Sequence, residues 1–118
     1  MKIVISHKDK YIRKDIARFI GEQYPNCMTE SFGDSLLAAK SVYTDPSDVI
    51  IVGIDGIKLI PMLRKRESDI IIVILADNLL HCDEAFSQGA NAYLTLPLSK
   101  EKLYEAVEGR QAQEFSEI

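Results

Sequence analysis

Apolar residues in this chain fall in short runs that alternate between two spacings. Residues 2–6 are a β-branched run and predict a strand. Over residues 9–23, Ile12, Ile16, Phe19 and Ile20 recur at helical spacing and predict a helix, stopped by Tyr24-Pro25-Asn26. Residues 27–31 predict a weaker strand. Ser31 and Asp34 have capping-box spacing and predict the start of a second helix, carrying Leu36, Leu37, Ala39 and Val42. Asp45-Pro46-Ser47 predicts a turn, and residues 48–52 a strand that is apolar at every position after Asp48. Residues 53–60 read as a loop leading to a short helix that ends at Glu67. Pro61 makes that helix start late, because proline fits a first turn but not a helix interior. Ile70 to Leu75 is an unbroken apolar run, the pattern of a strand covered on both faces. Residues 78–88 predict a helix ending at Gly89, residues 91–95 a fifth strand, and residues 99 to about 113 a last helix with Leu103, Ala106 and Val107 inward.

Strict alternation of five strands and five helices predicts an α/β fold, a parallel sheet with helices on both faces. Right-handed crossovers leave few topologies, and the expected one is a flavodoxin-like (βα)5 three-layer sandwich of strand order 2-1-3-4-5. Ligands in such sheets sit beyond the C-terminal strand ends. The stretches to inspect are therefore residues 6–9, 53–56, 75–78 and 95–98. They are poor in chemistry. Ser6-His7-Lys8-Asp9 lacks the glycines of a phosphate-cradling loop. Asp9 is its only carboxylate, and Lys8 beside it would repel a hard cation. The other ends read Gly53, Leu75-Ala76 and Thr95-Leu96-Pro97-Leu98, which argues against an enzyme.

Composition narrows the role further. The chain has 118 residues, a single-domain length, and 14 basic against 18 acidic residues give a net charge of −4. That balance disfavours direct nucleic-acid binding by this domain. No apolar run approaches the roughly 18 residues a membrane helix needs. Cys27 and Cys82 do not make a disulfide scaffold, and the expected compartment is the cytoplasm. Charge is uneven along the chain. Residues 1–20 carry six basic residues against Asp9 and Asp15, a face suited either to solvent or to an acidic partner. Residues 99–118 carry five glutamates against Lys100, Lys102 and Arg110, so the two ends are opposite in sign.

The ordered residues resemble a response-regulator receiver domain of two-component signalling. Residues 1–5 followed by 9–13 resemble that family's first strand and helix start, and residues 33–37 its second-helix entry. Residues 48–52 resemble the strand before the phosphoacceptor, and Asp55-Gly56-Ile57 the opening of the third helix. The densest match is residues 85–97, with Ala85, Gly89-Ala90, Tyr93 and Pro97 in the family's spacing. The resemblance covers residues 1–108, taken as a receiver-like domain. Residues 109–118 are expected to be a tail or a linker-helix extension. Ala106-Val107-Glu108-Gly109 is similar to the end of receivers that carry a helix-turn-helix output domain.

The resemblance also implies where phosphoryl chemistry would sit, and those positions have changed. The metal-binding acidic pair reads His7 and Lys8; the phosphoacceptor is Gly53; the hydroxyl of the fourth strand is Leu75; the lysine of the fifth is Leu96. Phosphoryl transfer needs a nucleophile, a metal and a positioned cation. The expectation is a degenerate, phosphorylation-independent pseudo-receiver, not an enzyme, with no metal and no cofactor. It would act through a protein partner or through itself, as a homodimer across the fourth helix, fifth strand and fifth helix. Leu79, Phe86, Tyr93, Lys100 and Tyr104 would form that face. Tyr93, the family's switch aromatic, is expected to hold one position and offer surface. A DNA-binding output domain beyond the chain is a further expectation. Two alternatives stand: a receiver phosphorylated at Asp55 with a divalent metal, and a flavodoxin-like binder of a small apolar ligand in a pocket of Leu75, Leu96 and Gly53. Lys8 is expected to fill the vacant site, pairing with Asp9 or Asp55.

Overall fold

The structure, a computed structural model, describes residues 1–109. The strands are β1 (Lys2–Ser6), β2 (Met28–Phe32), β3 (Val49–Gly53), β4 (Ile71–Ala76) and β5 (Ala92–Thr95). The helices are α1 (Lys10–Gln23), α2 (Ser35–Thr44), α3 (Ile60–Arg66), α4 (Cys82–Gln88) and α5 (Lys100–Val107). All strands are parallel in the order β2-β1-β3-β4-β5, the expected flavodoxin-like topology.

The apolar runs of β3 and β4 resolve into two cores because successive strand side chains point to opposite faces. Val49, Ile51, Val73 and Leu75 join Ile16 and Ile20 of α1 and Leu103, Ala106 and Val107 of α5. Ile50, Val52, Ile72 and Ile74 join α2, α3 and Tyr93 on the other face. β2 is exposed along most of its length, which is why its pattern is weak.

Helix boundaries depart from the sequence expectation at four places. Asp34, not Ser31, caps α2: its Oδ1 accepts the amides of Leu36 at 2.7 Å and Leu37 at 3.3 Å, while Ser31 lies within β2. Residues 54–59 are a 3-10 helix rather than a loop, running straight into α3 with Pro61 in its first turn. α4 begins at Cys82 rather than 78, because the Asn78 side chain accepts the Leu80 amide at 2.9 Å and stabilises a local turn instead. α5 stops at Val107, where Gly109 takes φ +76° and its amide returns to the Ala106 carbonyl. The rest of the expected last helix and the tail lie outside the described residues.

Candidate functional site

The strand ends line up as the sheet register dictates: Gly53 pairs with Leu75, and Ala76 with Thr95. Beyond Ser6, Gly53 and Leu75 lies a cavity of about 260 Å³, which His7, Lys8, Gly33, Ser35, Ile54, Asp55, Ala76 and Asp77 also line. It occupies the place where a doubly wound sheet keeps its ligand.

The loop after β1 is held by its own side chains. Asp9 caps α1, its Oδ1 accepting the Tyr11 amide at 2.8 Å. The Asp9 amide in turn donates to His7 Nδ1 at 3.0 Å. Arg13 donates from Nη1 to the His7 carbonyl at 2.6 Å. An Nδ1 that accepts a backbone amide is unprotonated. Burial lowers the His7 pKa in the same sense, against the opposing charges of Asp9, Asp77 and Asp55.

On the other side of the cavity, Ser35 is buried at the start of α2 and its Oγ donates to Asp55 Oδ1 at 2.9 Å. Ser6 Oγ stands 3.4 Å from Ser35 Oγ. A Cβ placed on Gly53 would lie 3.1 Å from Asp55 Oδ1, so the Asp55 carboxylate crowds the space that a side chain on Gly53 would use. Three residues after Gly53, Gly56 admits no side chain: a Cβ there would sit 2.6 Å from Val52 Cγ2. Close packing of the 3-10 turn onto β3 is thus what brings Asp55 back over the strand end.

The structure brings together His7, Lys8, Gly53, Leu75 and Asp55. It does not bring Leu96, which lines a separate cavity of about 120 Å³ in the β5–α5 loop with Thr95, Lys102 and a cis Leu96–Pro97 peptide. The expected pocket of Leu75, Leu96 and Gly53 is therefore not formed by those three together: Leu75 and Gly53 line the strand-end cavity with two serines, two carboxylates and Lys8, while Leu96 lies apart. Ser35 is not singled out from the sequence, and neither is Asp77, although residues 75–78 are marked for inspection. Asp77 follows directly on β4, and its position one step past the strand end was the available signal. Lys8 makes no ion pair among the described residues, contrary to its expected pairing with Asp9 or Asp55; Asp9 is engaged in capping and Asp55 with Ser35. Among the described residues no group of three or more His, Cys, Asp or Glu is arranged to hold a metal ion.

The five residues expected on one outward face separate. Leu79 is exposed, and Phe86 is half-buried against the α2–α3 core. Tyr93 is fully buried, so it offers no surface; its hydroxyl donates to the Asn78 carbonyl at 2.8 Å, and burial raises its pKa. Lys100 and Tyr104 turn to α1. Lys100 Nζ lies 3.1 Å from Glu22 and 5.1 Å from the Phe19 ring centre, and Tyr104 donates to the Phe19 carbonyl at 2.9 Å. The cause is α5 docking: its inward stripe packs on α1, and residues flanking the stripe land there too.

Solved structures share this architecture at low sequence identity. The chemotaxis protein CheY4 of Vibrio cholerae superposes with a TM-score of 0.77 at 19% identity, over 91% of this chain and 95% of that one. A response regulator of Burkholderia pseudomallei, solved with a phosphorylated aspartic acid, a calcium ion and citrate, gives 0.83 at 19% identity over 98% and 71%. An orphan response regulator of H. pylori gives 0.81 at 18% identity over 93% and 95%. The fold is that of response-regulator receiver domains. No family model matches the chain, and no curated protein matches it. Within the receiver fold, the cavity described above lies at the strand ends, with Gly53 closing β3 where the resemblance puts the phosphoacceptor.

Proposed function

We propose that this chain is a receiver-type signalling module that works through protein contacts without accepting a phosphoryl group. The observation that carries this reading is Gly53. The position expected to supply the nucleophile has no side chain, and Leu75 beside it in the register has no hydroxyl. His7 and Lys8 stand in place of the acidic pair, and the one acid of that loop, Asp9, is committed to capping α1. Such a module belongs in the cytoplasm, in signal transduction or transcription regulation, with an output domain or a second copy as its partner. No helix among the described residues is long and apolar enough to cross a membrane.

A second reading rests on one distance. Asp55 Oδ1 comes within 3.1 Å of where a Gly53 side chain would begin, so a carboxylate does reach the strand end. In this alternative, Asp55 is the phosphoacceptor and a divalent metal binds beside it. One titration separates the two. Under the first reading, adding Mg²⁺ and beryllofluoride leaves the amide spectrum of the ¹⁵N-labelled protein unchanged. Saturable shifts at residues 53–56 and 75–77 would establish the second reading instead.

A further inference from the structure

The hydrogen-bond direction along the cavity floor is fixed by its far end. An ionised carboxylate only accepts. Ser35 must therefore spend its proton on Asp55, and the contact with Ser6 then requires Ser6 to donate to Ser35. Both hydroxyl protons are thus committed along the chain toward Asp55, which itself lines the cavity. The two serines are 1% and 3% exposed, so the floor they form is almost wholly buried and has no hydroxyl proton left to offer a ligand. Above that floor the ionisable lining is the carboxylates of Asp55 and Asp77 and the ammonium of Lys8, and burial holds His7 toward its neutral form, so acidic groups outnumber basic ones. A donor-only cation suits this lining.

The rim says what carries that cation. Nine large apolar side chains are exposed among the described residues, and six of them sit at this one edge of the sheet. They are Tyr11, Leu36 and Leu37 in the first turns of α1 and α2, Ile54 after β3, and Leu79 and Leu80 after β4. A cavity of about 260 Å³ is a little under the size of ligand pockets, about 300–1,000 Å³. It suits one inserted side chain better than a free ligand, and the surrounding apolar rim suits the segment that bears it. Arginine has five donors in a planar fork and no acceptor, and it is a favoured anchor at interfaces.

We infer that this edge docks a partner protein segment whose arginine enters the cavity between Asp55 and Asp77, while flanking apolar residues cover the rim. The inference rests on the reading of this edge as free of phosphoryl chemistry. Lys8, exposed and itself part of the cavity lining, opposes the incoming charge and weakens the site.

The test uses the full chain, ¹⁵N-labelled, titrated with three peptides: Ac-Leu-Arg-Leu-NH₂, the same peptide with neutral citrulline for arginine, and the same with glutamate. The arginine peptide should shift the amides of residues 6–8, 35, 53–55 and 75–77. The other two should bind at least about tenfold more weakly. Asp55→Asn and Asp77→Asn, each with an otherwise preserved spectrum, should weaken the arginine peptide, and Lys8→Met should tighten it. Equal binding of the citrulline peptide, shifts confined to other surfaces, or no saturation up to about 10 mM would overturn the inference. The Mg²⁺ and beryllofluoride titration on the same sample keeps the two readings apart. A response there removes the proposed function whatever the peptides do, and a silent titration with no arginine binding removes the docking site alone.

Discussion

The Arg64 guanidinium on α3 and the Asn91 side chain before β5 share one hydrogen bond, and Asn91 Oδ1 also accepts the Ile72 amide at 2.8 Å. Arg64 further donates to the Gly89 carbonyl at 3.2 and 2.7 Å, to the Ser68 carbonyl at 3.0 Å, and to that of Ile70. One side chain thus gathers the end of α4, the entry to β4 and the entry to β5. Burial lowers its pKa, yet a guanidinium keeps its charge at any working pH.

Replacing Arg64 with methionine keeps the apolar stem and removes every donor, leaving several part-buried carbonyls without a partner. Unsatisfied groups of this kind cost about 1–3 kcal/mol each where water cannot reach them. The expected loss is about 2–4 kcal/mol in urea unfolding. Arg64→Lys should recover less than half of it, because one ammonium cannot span the set.

Stability should depend on pH near neutrality through His7. The folded state lowers its pKa by burial, so between that value and the unfolded value near 6.5 the unfolded chain binds more protons. The stabilisation is complete above about pH 6.5 and is lost as pH falls through the folded pKa. Asp9, Asp55, Asp77 and Lys8 face the imidazole and set the field in which it titrates. Thermal unfolding of the wild type should therefore weaken between pH 7.5 and 5.5, a range that brackets the ordinary histidine pKa. In His7→Asn, where an amide oxygen can accept the Asp9 N–H at every pH, that slope should flatten. An unchanged slope would reassign the dependence to another group.

Two glycines should respond to alanine in opposite directions. At Gly56 the added Cβ meets Val52 Cγ2 at 2.6 Å, inside contact distance and against a fully packed strand residue. The 3-10 turn has to move, at about 1–3 kcal/mol. At Gly21, inside α1, nothing lies within 4 Å, so alanine should stabilise by about 0.5–1 kcal/mol. In a domain of this size the pair should bracket the wild-type Tm by several degrees on either side.

The architecture was legible because β3 and β4 are covered on both faces, and their uninterrupted apolar runs have no other good explanation. The cavity was legible in outline for a similar reason: parallel alternation fixes which loops share an edge. What the pattern could not give was the direction of individual side chains. An aromatic at Tyr93 fits an interface anchor and a buried ring equally well, and only the Asn78 carbonyl within reach of its hydroxyl decides between them. Lys100 and Tyr104 were assigned to one helix face without a means of seeing that α1 occupies it. Asp34 and Ser31 both offered capping chemistry, and strand pairing of Ser31 with Ile5 removed the wrong choice. Asp55 was visible as a carboxylate near the strand end, but its hydrogen bond to Ser35 spans 20 residues.

The division of the sheet into two cores has a consequence for how the molecule conveys force. Ile50 and Ile51 are neighbours in the chain, yet each belongs to a different apolar compartment. A change of volume beneath α2 and α3 reaches α1 and α5 only by displacing strand backbone, which four neighbour pairings hold in register. The sheet therefore acts as a stiff diaphragm. A disturbance that starts on one side must cross strand backbone to reach the other, whereas the strand ends, where loops from both sides converge, adjoin both compartments.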